Sequence, residues 1–270
     1  MLLLLGMLSL GMMDTDLCAQ AAAAAKPRNV VLIVADDLGH ELGCYGDKVA
    51  KTPHLDALAR EGTRFTHAFC TTASCSASRS VILTGLHNHA NGQYGHQHGS
   101  GNFHTRTNVR SLPVLMKEAG YRTYSIGKFH VQPEEVYKFD KFGNEGAKTR
   151  NPVQMAEATE QFLREKDEKP FFIYFCMTEP HRSGKGFGNE HKHPGVTPKV
   201  YLPAELKVPD YLPDQPEVRA EWAEYLQAVS RLDQGVGRLI KALQETGQYE
   251  QTLILFISDN GPPFPGAKTT

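Results

Sequence analysis

Three short runs dominate what this chain can fold into: NVVLIVA at 29–35, FFIYFC at 171–176 and TLILFI at 252–257. Each is apolar along its length rather than alternating, so each reads as a strand buried on both faces. Tyr121 to Ile126 adds a fourth strand. Helical patterns fall between them. Thr52 and Pro53 open one, with Leu55, Leu58 and Ala59 as its apolar face and Gly62 as its stop. Ser111 to Ala119 and Val153 to Glu165 are two more. Glu217 to Glu245 is the longest, with Trp222, Leu226, Val229, Leu232, Val236, Leu239 and Leu243 recurring at helical spacing. Strands alternating with helices imply an α/β fold, a mostly parallel sheet sandwiched by helices. Neither an internal repeat nor a second complete domain is evident.

Open sheets of this kind bind ligands beyond the carboxyl ends of their strands. Asp36 and Asp37 follow the first strand. Gly127, Lys128 and His130 follow the second. Glu179, Pro180 and His181 follow the third, and Asp259 and Asn260 follow the last. Each alone reads as turn chemistry. Together they bring carboxylates, an amide, a lysine and imidazoles to one rim. Asp36, Asp37, Asp259 and Asn260 offer only hard oxygen donors, which suit Ca²⁺ or Mg²⁺. A divalent ion ringed by Arg79, Lys128, His130 and His181 is a site for an oxyanion such as phosphate or sulfate. The stretch from Glu179 to Pro216 is too long for an ordinary connection, which marks it as functional.

Such a site needs a nucleophile, and TTASCSASRSVILTG at 71–85 supplies a candidate. Ser74 is placed to cap a helix that Gly85 ends. Cys75 then sits in the first turn, where the helix dipole lowers a thiol pKa. Arg79 lies one turn on, on the same face. The plainer reading is a buried cysteine and a surface arginine.

The net charge of −1 gives no reason to expect nucleic acid or an anionic membrane as partner. Leu2 to Met13 is apolar but too short to span a bilayer. Ala19-Gln20-Ala21 then gives a small-x-small cleavage pattern. Residues 1–25 therefore read as a signal peptide and alanine-rich linker, although no Lys or Arg precedes the apolar run. The mature chain, 26–270, is expected to be exported, periplasmic or secreted. Of five cysteines, Cys18 leaves with the leader, and one disulfide among Cys44, Cys70 and Cys176 is open. The histidines between His87 and His104 sit among Gly, Asn and Gln and read as a solvated loop beside a polar site.

Cys75-Ser76-Ala77-Ser78-Arg79 with Leu83-Thr84-Gly85 resembles the signature of type I sulfatases. The resemblance extends to Asp36-Asp37, Thr-Pro-His-Leu-Asp-Ala-Leu-Ala at 52–59, Gly-Lys-Phe-His at 127–130 and Ser-Asp-Asn-Gly at 258–261. Glu179-Pro180-His181-Arg182, Arg231 to Gly237, and Asp259 to Pro265 are most similar to the sulfamidase branch. The resemblance implies an alkaline-phosphatase-like fold and hydrolysis of a sulfate ester or sulfamate on a saccharide. It implies one Ca²⁺ on Asp36, Asp37, Asp259 and Asn260. Cys75 would be converted by a maturation enzyme to formylglycine, whose hydrate is the nucleophile. By the same resemblance Arg79 steadies that hydrate, and Lys128 and Lys268 contact sulfate oxygens. His130 partners the formylglycine, and His181 gives a proton to the leaving group.

Two features depart from that family. Ala77 stands where the signature usually has proline; some bacterial maturation systems resemble ones that tolerate alanine. The chain also stops at Thr270, just after the last metal motif, where members continue with more sheet and a smaller C-terminal domain. A truncated, poorly stable and weakly active product is the expectation. Two alternatives stand beside the hydrolase: a phosphatase or phosphodiesterase of the same superfamily, and an inactive relative that binds sulfated glycans.

Overall fold

The computed structural model describes residues 27–143 and 150–268. The expected signal peptide, with Cys18, lies outside the described residues. Among the described residues five strands form one parallel sheet: β1 (Asn29–Ala35), β2 (Arg122–Gly127), β3 (Lys141–Phe142), β4 (Phe171–Cys176) and β5 (Thr252–Ser258). Their spatial order is β3-β2-β4-β1-β5. β1 lies inside the sheet, with Val31 opposite Ile173 of β4 on one side and Ile254 of β5 on the other. The apolar runs at 29–35 and 171–176 coincide with the first and fourth strands.

Among the described residues the longer helices are α1 (Pro53–Glu61), α2 (Cys75–Thr84), α3 (Leu112–Glu118), α4 (Pro152–Leu163) and α5 (Pro216–Glu245), with a single helical turn at Asn88–Asn91. They cover both faces of the sheet. On one face Val31, Ile33, Tyr124, Ile126, Ile173 and Phe175 pack with Met155 and Phe162 of α4 and with Val229, Leu232 and Val236 of α5. On the other, Leu32, Val34, Phe172, Tyr174 and Cys176 pack with Leu83 of α2 and with Leu112 and Met116 of α3. Alternate residues of one continuous apolar strand thus serve two cores. Burial of each such side chain stabilises the fold by about 1.5–3 kcal/mol. Gly235 lets α5 approach α4 closely: a Cβ there would fall 2.2 Å from Pro152 Cβ.

Three local expectations are corrected, and the open question of a disulfide is answered. β5 is not buried on both faces: it pairs only with β1 among the described strands, and Leu253 and Leu255 are 45% and 42% exposed. An apolar run reads the same whether or not its second face is covered. Ser74 has the extended backbone of a cap but makes no capping bond through its side chain; its Oγ lies 3.4 Å from His96 Nε2. Thr52 likewise makes no such bond, because its hydroxyl accepts from Gly43 N–H and donates to Asp56. The first amides of α1 are met instead by Asp233 of α5, whose carboxylate accepts from His54 and Leu55 N–H. The described cysteines, Cys44, Cys70, Cys75 and Cys176, are all free, so none of them is bridged to another. No helix of the described residues is long and apolar enough to cross a membrane.

Candidate active site

The parallel ladder continues past the strand ends and fixes the rim. Asp36 N–H donates to Glu179 O at 3.1 Å, Lys128 N–H to Cys176 O at 2.8 Å, and Asp259 N–H to Ala35 O at 3.0 Å. Gly127 makes this approach feasible, since a Cβ there would lie 1.9 Å from Cys176 O. Two rim residues that are not glycine adopt left-handed backbone, Asp37 at φ 67° and His130 at φ 59°. Strain of this kind costs about 1–3 kcal/mol and concentrates at functional sites.

The rim gathers every residue expected there. Asp36, Asp37 and Asp259 have no solvent exposure, and their carboxylates offer oxygens within 4.8 Å of one another. Asn260 is also buried; its Nδ2 donates to Asp259 Oδ1 at 2.6 Å, while its Oδ1 is buried without a partner. Three cations face the three carboxylates. Arg79 Nε bonds Asp259 Oδ2 at 2.9 Å, Lys128 Nζ reaches Asp36 Oδ2 at 2.5 Å, and Lys268 Nζ lies 2.7 Å from the Asp37 carboxylate. The surface-arginine reading is overturned: Arg79 is fully buried and also donates to Lys128 O.

Cys75 Sγ lies at the meeting point, 3.3 Å from Asp36 Oδ1, 3.7 Å from Asp37 Oδ1 and 3.3 Å from Lys268 Nζ. The expected low thiol pKa is corrected here. Burial, with Asp36 and Asp259 beside it, pushes the Cys75 thiol up to about 12. His181 Nε2 stands 3.9 Å from Asp37 Oδ2. Burial brings His181 down to about 4, against the pull of Asp36, and burial with Lys128 and Arg79 brings His130 down to about 3.

Burial and Asp36 together raise Asp37; burial raises Asp259 to about 8, against Arg79. Burial also raises the Asp36 carboxyl, but Lys128 and Arg79 outweigh it and hold it well below the usual range. Crowded buried oxygens and an orphaned amide oxygen are what a hard cation satisfies, and no nitrogen or sulfur donor is needed. The four residues therefore fit a divalent ion such as Ca²⁺.

A cavity of about 760 Å³ opens over Cys75 and Lys268. Its wall includes residues that the sequence did not single out as site residues: His96, His98, Arg150, Arg182 and Phe264. Arg150 and Arg231 grip the loop that carries His181. Arg150 Nη2 donates to His181 O at 2.9 Å and Nη1 to Phe187 O at 3.1 Å. Arg231 Nη2 donates to Phe187 O at 2.7 Å and to Glu179 Oε1 at 3.0 Å. The detectable signal for Arg231 was a cation in register with the buried stripe of α5 that carries Ala228, Leu232 and Gly235.

The sulfatase family profile matches residues 28–269. This chain belongs to the sulfatase family. It is 41% identical over 264 residues to human N-sulphoglucosamine sulphohydrolase, covering 91% of this chain and 53% of that protein. The chain thus spans about half the length of that relative. Among solved structures, a 2-O GAG sulfatase superposes with a TM-score of 0.71 at 19% identity, over 87% of this chain and 58% of the other. The phosphonate monoester hydrolase of Agrobacterium radiobacter superposes with a TM-score of 0.64 at 20% identity, over 90% and 65%. These two likenesses concern the fold, an alkaline-phosphatase-like α/β architecture.

Proposed function

We propose that this chain carries the catalytic centre of an exported sulfatase that removes sulfate from a sulfated saccharide, with the sulfamate of an N-sulfoglucosamine unit as the first candidate. The carrying observation is Cys75, wedged between the Asp36 and Asp37 carboxylates and the Lys268 ammonium. A thiol raised to about 12 is a poor nucleophile, so position 75 makes chemical sense as a modified residue. Formylglycine there would supply, as its hydrate, the oxygen that attacks sulfur. Ca²⁺ held by Asp36, Asp37, Asp259 and Asn260 would polarise a sulfate oxygen as a Lewis acid.

The chain's own residues do the rest. Lys128 and Lys268 line the cavity and place positive charge where the sulfate oxygens gain negative charge, usually the largest catalytic term. Arg79 pairs with Asp36 and Asp259 and holds in place two of the carboxylates that would bind the ion. His181 is neutral when the pocket holds no anion. An anionic substrate favours its imidazolium, from which the leaving amine or alcohol takes a proton. His130, on its left-handed backbone, lines the same cavity as residue 75. Phe264 and its flanking prolines give an apolar wall for the sugar ring. The human relative's name specifies an N-sulfated glucosamine, and the apolar segment before Ala21 supports export.

The test is sulfate release by the full chain, made in its native host and supplied with Ca²⁺. Glucosamine N-sulfate is compared with 6-O-sulfated and 2-O-sulfated sugars. Release from the N-sulfate in preference to the others supports the reading; no release from any sugar by aldehyde-bearing protein sinks it.

A further inference from the structure

His96 and His98 reach the cavity from the loop that follows the helical turn Asn88–Asn91, and there they meet His130 from the end of β2. The three rings stack. Their centroids are 5.1 Å apart for His96 and His98, 4.9 Å for His98 and His130, and 5.5 Å for His96 and His130. Their planes lie within 19° of one another. One ring nitrogen from each lies within 4.8 Å of the other two. The Nδ1 atoms of His96 and His130 are buried without a hydrogen-bond partner. Such atoms call for an explanation, because a buried unpaired polar atom costs about 1–3 kcal/mol.

We propose that His96, His98 and His130 form a second metal site, for a borderline transition-metal ion such as Zn²⁺. The donor set is nitrogen only, which suits Zn²⁺, Ni²⁺ or Cu²⁺ and not Ca²⁺. The carboxylate cluster has the opposite character, so the two sites select different ions. Burial disfavours the imidazolium of His96 and His130, the form that cannot coordinate. Zinc needs nitrogens at about 2.0–2.1 Å, so the rings must close in. His98 can move to do so, being exposed on a loop between Gly95 and Gly99.

The site does not depend on the sulfatase reading, and its test is binding rather than turnover. The full chain is titrated calorimetrically with Zn²⁺ in the presence of excess Ca²⁺. His98→Ala changes an exposed side chain and keeps the fold; His96→Gln keeps size and polarity. Each is expected to weaken the tightest Zn²⁺ site by about tenfold or more. His89→Ala, on the separate His87–His89 stack, is expected to leave it unchanged. Absence of saturable Zn²⁺ binding in the unsubstituted chain, or wild-type affinity in His98→Ala, overturns the proposal.

Discussion

Arg79 Nε donates to Asp259 Oδ2 at 2.9 Å, and neither side chain has any solvent exposure. This pair joins the first half of α2 to the end of β5, across 180 residues of sequence. Arg79 also approaches Asp36 at 3.6 Å, so one guanidinium serves two carboxylates of the proposed ion site. Arg79→Ala leaves both acids buried with one fewer cation. The expected cost is about 3–5 kcal/mol of stability. Arg79→Lys is not conservative here, because an ammonium cannot reproduce the planar fork. Urea unfolding measures both; a loss under about 1 kcal/mol for Arg79→Ala contradicts the role.

Glu179 is fully buried, and burial raises it to about 7 even with Arg231 and Arg150 beside it. Arg231→Ala removes its closest cation and a bond to Phe187 O. The loop from Glu179 to Asn189 should then open. Hydrogen exchange of its amides is expected to speed up by about tenfold or more, while β1 and β4 stay protected. Equal protection of that loop in the variant and the parent rules out the clamp.

The strand-end acids were legible because a parallel sheet has only one functional edge, and Asp36, Asp37, Lys128 and Asp259 stand directly beyond apolar runs. Phe171–Cys176 was legible to the residue for the same reason. What was not legible depends on partners far away in sequence. The Cys75 thiol follows the dipole of α2 if read locally, but its burial, with Asp36 and Asp259 brought from other strands, raises it instead. β5 reads like β1 because apolar runs do not announce whether a second face is covered. His96 and His98 have no periodicity to place them, so only the folded loop reveals that they meet His130.

Asp233 provides a pH prediction away from the rim. Burial raises it to about 6, against the two N–H bonds it accepts from α1. The folded pKa lies above the unfolded one, so its contribution to stability is full below about pH 4 and is lost as pH rises through about 6. Asp233→Asn removes the titration but keeps an acceptor. Relative to the parent, the variant should gain roughly 1–3 kcal/mol between pH 4 and pH 7. Parallel unfolding curves at pH 5, 6 and 7 check this, and a constant difference between the two proteins contradicts it.

Ca²⁺ should stabilise the chain by relieving repulsion among Asp36, Asp37 and Asp259. At a hundred times its dissociation constant an ion adds about 2.7 kcal/mol. For a chain of this size that is a rise in melting temperature of about 5 °C or more. EGTA should reverse it, and Asp37→Asn should abolish it. A melting temperature indifferent to Ca²⁺ counts against the ion site.

The central claim is that residue 75 works as formylglycine, and the mass of the tryptic peptide Phe65–Arg79 tests it most directly. Protein from the native host should give a peptide lighter than the thiol form by the difference between CH₂SH and CHO, and a carbonyl reagent should trap it. An intact Cys75 thiol throughout the sample would contradict the account and leave the glycan-binding reading in its place.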